Sequence, residues 1–399
     1  YTLIMAETSL GRMTRKSPVG AFESFGNSRF ISIGGWINAI IPILIVPYYS
    51  VIGGWVIKYL IEYFAGHSKT LAGDAYFTTF ISNGWSTEIC FIIFTLFTLG
   101  IIYAGVRNGI ERVSKFMMPI LIVLSLIIAV YSVTRPGAIE GVKYFLVPNF
   151  DHFSWMTVVS AMGQMFYSLS IAMGILITFG SYMKKDTSIE KSTENVEIFD
   201  TAIAIMAGLM IIPAVFAFSG GDAATLKSGP ALMFITIPKV FANMGFGTAI
   251  GVVFFLLVLF AAVTSSIALT ESAVSTFEDE LHWSRKKSTV FMGMVMLLLG
   301  TLSCLGYGPL ANFKILGMQF LDFFDFITNS VMMPIAAIAT CLLVSKVVGV
   351  DKIEEEIKKD GQVFRRKKIF CFMIKYLCPL FAAIILISSV ANAFGIITM

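Results

Sequence analysis

Apolar runs separated by short polar segments repeat along the whole chain, at about 1–10, 31–65, 88–106, 113–134, 157–182, 198–219, 245–277, 287–306, 311–345 and 369–397. Runs such as Ile89–Tyr103 and Phe116–Val133 reach or approach the roughly 20 residues that cross a bilayer as a helix. The pattern predicts an all-α polytopic membrane protein, one transmembrane domain over residues 1–399 with about ten membrane segments. The first run stops too early to cross and has no basic leader or cleavage site before it, so it reads as the remainder of a helix whose start is missing. The 31–65 and 245–277 runs exceed the bilayer thickness and must tilt or project. Pro42, Pro47, Pro119, Pro213 and Pro334 fall inside runs, where neighbouring helices satisfy the freed backbone groups. Ala223–Met244, apolar but interrupted at Ser228-Gly229-Pro230, predicts a re-entrant hairpin, either a lid or a static packing element.

Composition agrees with this class. Hydrophobic residues make up 57% of the chain and charged ones 14%, against about 25% charged in a soluble domain; mean hydropathy is +0.83. A water-soluble enzyme is excluded. The net charge of +4 is dispersed, unlike the concentrated basic face of a nucleic-acid binder. Lys and Arg instead alternate by loop. One set holds Arg12, Arg15, Lys16, Arg29, Arg107, Arg112, Lys115, Lys184, Lys185, Lys191, Arg285, Lys286, Lys287 and eight more between 346 and 368. The other holds Lys58, Lys69, Arg135, Lys143, Lys227, Lys239 and Lys314. Positive loops stay in the cytoplasm, which places the 11–30 loop inside and the C-terminus outside. Asp351–Lys359 reads as a solvated cytoplasmic helix. The odd number of cysteines, Cys90, Cys304, Cys341, Cys371 and Cys378, reads as apolar packing rather than a disulfide framework.

Enzyme signatures are missing from the pattern. His67, His152 and His282 are far apart with no metal-ligand spacing, and no phosphate-cradling glycine loop or nucleophile with an evident base is present. Polar groups concentrate instead at mid-membrane depth. Gln164–Gly174 sets an amide, a tyrosine, two serines and a glycine halfway along a run, which either breaks a helix so that freed backbone groups bind an ion or substrate, or permits close helix packing. Thr264-Ser265-Ser266 sets three hydroxyls in the middle of another, suited to a hard monovalent cation or to bonding back to carbonyls one turn earlier. Carboxylates in or near spans are expensive and hence functional candidates. Asp200 opens a run, and Asp322 and Asp325 stand at the outer start of another; Asp200 and Asp325 have helix capping as the alternative. Glu271 and Asp279 lie toward the cytoplasmic end of a third.

Taken in order, Ala6-Glu7 with Gly11-Arg12, Tyr48-Tyr49, Asn108 to Arg112, Gln164 to Gly174, Ile212-Pro213-Ala214, Thr264-Ser265-Ser266, Phe277 to Leu281 and Asp325 resemble the neurotransmitter:sodium symporter family. The likeness is to its prokaryotic amino-acid transporters of the eleven-helix branch, lacking the first helix, and it covers nearly the whole chain. The resemblance implies that family's inverted-repeat fold with helices broken at the midplane. It also implies sodium-driven amino-acid symport by alternating access. A non-transporting amino-acid sensor on the same fold and, further off, an ion channel are the other classes.

Carried over by position, Ala261, Thr264 and Ser265 match half of one sodium site, and Ser168 a ligand of the other. Asp200 aligns near both a sodium-binding amide and a carboxylate that replaces chloride, so chloride is not expected to be required. Tyr49 matches the tyrosine that meets the substrate carboxylate. Ile45, Tyr167, Ser170, Met173, Ser265 and Leu269 would line the side-chain pocket; it has no charge, so a neutral hydrophobic or aromatic amino acid costs least to desolvate. Met173 stands where an aromatic ring is common and its thioether adapts to different shapes; Tyr167 replaces the more usual phenylalanine. Asp325 with Gln164 matches the outer gate and Asp279 the inner one, the arginine partners lying in the missing segment. Gly109 and Pro119 match a hinge that unwinds to wet the path inward.

Overall fold

The structure, a computed structural model, describes residues 1–26, 28–222, 225–226 and 229–396, leaving aside the side chains of Arg107, Asn108, His152 and Asp360. It is almost wholly helical. The membrane helices are α1 (Thr2–Thr14), α2 (Arg29–Phe64), α3 (Gly84–Tyr103), α4 (Gly109–Val133), α5 (Trp155–Ser168), α6 (Ile175–Tyr182), α7 (Ile189–Ser219), α8 (Gly247–Leu281), α9 (Arg285–Leu305), α10 (Phe320–Val348) and α11 (Lys367–Ala393). Eight of them are long and apolar enough to cross a membrane: all but α1, α5 and α6.

Their starts follow capping chemistry. Ser28 accepts from the Ile31 amide, Asn83 from Ser86, and Ser188 from Lys191, while Ser154 and Thr157 form a reciprocal box at the head of α5. The long α2 is the central element, mostly buried, and it packs along α8 and α3; α7 and α11 turn most of their surface outward. Tyr59 and Tyr63 on α2 stack on Phe255 of α8, and a Cβ at Gly251 of α8 would lie 2.1 Å from the Tyr63 ring. The tightest seam joins α1 to α6. A Cβ at Gly11 would fall 1.9 Å from the Ile177 carbonyl oxygen, and one at Gly180 2.5 Å from that of Thr8, so the two backbones touch with no side chain between them.

Several boundaries differ from the sequence expectation. Helix α7 begins at Ile189, about nine residues before the apolar run, because Glu190 to Glu197 continue it as an amphipathic turn beyond the apolar layer. Asp200 therefore sits inside a helix that Ser188 caps, and the capping alternative is corrected. Residues 311–319 are a turn closed by an Ile315–Met318 bridge, with Leu316 and Gly317 at φ 51° and 79°, so α10 begins only at Phe320. Gln319 precedes that helix, and Asp325 lies more than a turn inside it rather than at its cap. In the expected hairpin, Ala223, Ala224, Lys227 and Ser228 lie outside the described residues; its second arm is a helix over Leu232–Ala242. That arm is anchored by Tyr59, whose hydroxyl donates to the Phe234 carbonyl at 2.8 Å.

The Asp351–Lys359 stretch is not simply solvated. The helix Val350–Ile357 buries Val350, Ile353 and Ile357, and also Glu356, which receives the Arg12 Nε at 2.7 Å. Arg12, itself buried, also donates to the Thr187 carbonyl at 2.6 Å. All five cysteines are free, and all but Cys371 are buried.

Candidate substrate and ion site

The chain leaves helical geometry between α5 and α6. Ser170, Ala172 and Gly174 take φ values of 54°, 60° and 70°, conformations rare for residues with a Cβ. Gly174 is required for a second reason, since a Cβ there would meet the Asn38 carbonyl oxygen at 2.8 Å. The freed Ala172 amide donates to Glu7 Oε1 at 2.9 Å, deep in the interior. Breaking a helix here turns the carbonyl end of α5 and the amide end of α6 toward the gap, a pair of opposite partial charges at mid-depth. Of the two readings of Gln164–Gly174, the structure adopts the break.

A cavity of about 420 Å³ opens on this gap, within the range of small-molecule sites. Ile45 and Tyr49 reach it from α2, Tyr167 from α5, Ser170 and Met173 from the unwound segment, and Ser265 and Leu269 from α8. These are all seven residues expected around the substrate. Gln164, Ser168 and Thr264 also line it, and the Tyr49 hydroxyl bonds to Ser265. Met118, Ile175 and Ala268 complete the wall and were missed. Ala268 is readable as the residue one turn beyond Thr264, whereas Met118 required knowing which face of α4 meets α8.

Hydroxyls and carboxylates are arranged as acceptors. Thr264 donates its proton to the Phe260 and Ala261 carbonyls at 3.1 and 3.0 Å, which leaves its oxygen lone pairs for another partner. Ser265 faces the cavity, while Ser266 turns away to receive a hydrogen bond from Thr98 at 3.3 Å. Ser168 donates to Asp200 Oδ1 at 2.6 Å, uniting two expected ion ligands from α5 and α7. Among the described residues no group of three or more His, Cys, Asp or Glu side chains could hold a metal ion.

Where the outer gate is expected, Asp325 accepts from the Tyr48 hydroxyl at 3.0 Å and from Asn329 Nδ2 at 2.5 Å. Gln164 borders both the main cavity and a smaller one beside Asn329. Where the inner gate is expected, Asp279 accepts from the Ser17 backbone amide at 2.5 Å. Beside it, Arg285 grips Glu271 with two hydrogen bonds of 3.0 and 2.5 Å, and Tyr182 donates to the same carboxylate at 2.7 Å. The expected hinge divides. Val106–Glu111, which includes Gly109, is wound as a wide π turn, while Pro119 lies within continuous helix.

Residues 62–396 match the sequence model of the Sodium:neurotransmitter symporter family. The chain belongs to that family. It is 31% identical to an uncharacterized sodium-dependent transporter, YhdH, of Bacillus subtilis strain 168, over 100% of this chain and 87% of the relative. A second uncharacterized sodium-dependent transporter, from Haemophilus influenzae, is 29% identical over 97% of this chain and 86% of its own length. Among solved structures, that of MhsT in complex with L-phenylalanine superposes with a TM-score of 0.86 at 32% identity, covering 97% of this chain and 88% of that one. This family member is thus a sodium-dependent transporter of the membrane, with the family's fold, and not an enzyme.

Proposed function

We propose that the protein takes up a neutral hydrophobic or aromatic amino acid by sodium symport, through alternating access around the α5–α6 break. The observation that carries this reading is a cavity in which an unwound backbone, the Tyr49 hydroxyl and an apolar, uncharged lining meet. Tyr49 and the freed backbone suit the α-amino and carboxylate groups; Ile45, Met173 and Leu269 suit an apolar side chain. The L-phenylalanine bound by MhsT is of the same class. Thr264, Ser265 and the Ala261 carbonyl would take one sodium ion as co-substrate, and Ser168 with Asp200 another. Asp200 supplies a fixed negative charge beside that ion, so chloride is not needed. Asp325 with Gln164 and Asp279 would act as outer and inner gates, and the Gly109 turn with Pro119 as hinge. The alternating Lys and Arg support a cytoplasmic Asp279 end and an outer C-terminus, and membership of the family supports a plasma-membrane location.

Sodium bound where α8 meets the break favours the state that accepts substrate, and its loss favours release; the coupling is the differential affinity of the two states. The full-length protein, purified into proteoliposomes, should take up labelled phenylalanine, tryptophan or leucine only on an inward sodium gradient. Sodium-dependent binding without uptake would identify a sensor. Uptake indifferent to sodium would overturn the coupling, and preference for a charged amino acid would overturn the pocket assignment.

A further inference from the structure

At the end of the bundle that the positive loops assign to the cytoplasm, a shallow groove of about 590 Å³ lies between the last turn of α3 and the α8–α9 connection. Two lysines border it. Lys286 Nζ stands 5.6 Å from the centroid of the Tyr103 ring, and Lys287 Nζ 4.0 Å from that of Trp283. Arg285 is engaged by Glu271 and Glu278, but among the described residues neither lysine has a carboxylate within ion-pair distance. Trp283 is held edge-on to Phe291, which is edge-on to Phe277 of α8, at 5.3 and 5.1 Å, so the platform under Lys287 is fixed by the core. The Ser284 hydroxyl borders the groove and makes no capping bond.

The groove continues into apolar surface. Val290, Met294 and Leu298 are exposed and recur every fourth residue of α9, forming one stripe that runs from the lysines toward the membrane interior. A ligand that fits has an anionic head for two ammonium groups and a hydrocarbon tail for the stripe. Each aromatic ring already carries a lysine, so a choline cation drawn to either ring would meet an ammonium of like charge.

We propose that this groove binds an anionic glycerophospholipid, its phosphodiester between Lys286 and Lys287 and one acyl chain along Val290, Met294 and Leu298. The site is separate from the transport cavity and holds whatever the carrier's substrate. Each basic residue near an anionic lipid surface is worth about fivefold in affinity, so two give up to roughly 25-fold.

The test uses the whole chain in nanodiscs, where both faces are accessible and orientation does not matter. Brominated phosphatidylglycerol or brominated phosphatidylcholine is added at equal, minor mole fraction, and the fluorescence lost in Trp283→Phe is taken as the signal of Trp283. Phosphatidylglycerol should quench that signal several-fold more strongly than phosphatidylcholine. The preference should vanish in Lys286→Gln/Lys287→Gln and persist in Lys286→Arg/Lys287→Arg, and soluble glycerol phosphate should not relieve it. Equal quenching of the unsubstituted protein by the two lipids overturns the proposal, even if the glutamine variant fails to fold. So does a preference that survives the glutamine pair, or relief by soluble glycerol phosphate, which would make the head group alone the ligand.

Discussion

Thr264 meets two demands with one hydroxyl. Its proton is given to the carbonyls of Phe260 and Ala261, the arrangement common to membrane helices, and the same bond points its lone pairs elsewhere. Packing and ion binding are therefore not rival readings at this position. Thr264→Val keeps the shape and removes the oxygen; the sodium concentration for half-maximal uptake should rise on the order of 10- to 100-fold, the value of a hydrogen-bond-strength contact to a charge. Uptake measured against sodium checks it, and an unchanged midpoint removes Thr264 from the ion site. Asp200 invites a different trial, because its carboxylate is held by Ser168 next to where the proposed ion sits. In Asp200→Ala the compensating charge is gone, so uptake should fall and be partly restored by chloride. Loss that chloride does not touch would leave Asp200 a structural acceptor. The break was legible because it shows as polar and small residues inside an apolar run, whereas the pocket residues on α2 and α8, which lie in unbroken helix, followed only from the family resemblance. The partner of Asp279 was not legible, since the Ser17 amide that meets it belongs to the backbone, and a backbone donor has no signature in the sequence.

At the scale of elements, apolar runs locate helices but not their ends. Helix α7 shows why, for its first turns carry Glu190, Lys191, Glu194 and Glu197, good helix formers that extend the element beyond any hydrophobic signal. Charge likewise concealed the role of Val350–Ile357. Its sequence looks like a solvated face, yet Glu356 is buried against Arg12, which ties α1 to the α10–α11 connection and to the α6–α7 loop. Removing Arg12 leaves the buried Glu356 with only the half-exposed Lys359 ammonium as its charged partner and opens a cavity where the guanidinium packed, at a cost approaching the ~3–5 kcal/mol of a broken buried pair. Arg12→Ala should therefore lower the thermal midpoint of the detergent-solubilised protein sharply. Lys115→Ala, which breaks an exposed pair with Glu111, should hardly move it. Equal shifts for the two would mean that Arg12 is hydrated in solution.

For the molecule as a whole, the central fact is the length of the two helices at its core. Helix α2 has 36 residues and α8 has 35, so each is about 50 Å long at 1.5 Å per residue, against a hydrocarbon layer of about 30 Å. The two are keyed together by Tyr59 and Tyr63 on Phe255, and by the ring of Tyr63 over Gly251, so neither can change its slope alone. Both carry walls of the proposed transport cavity, Ile45 and Tyr49 on one and Ser265 and Leu269 on the other. Uptake in proteoliposomes of graded acyl-chain length should pass through a maximum, falling in thinner and in thicker bilayers; a flat profile would mean that the pair projects freely instead of tilting. Mismatch costs only fractions of a kcal/mol per Å, but here it is delivered to two rigid struts that converge on the cavity. The lipid layer then acts on the carrier as a load acts on a frame, and the same sequence would run at different speeds in membranes of different thickness.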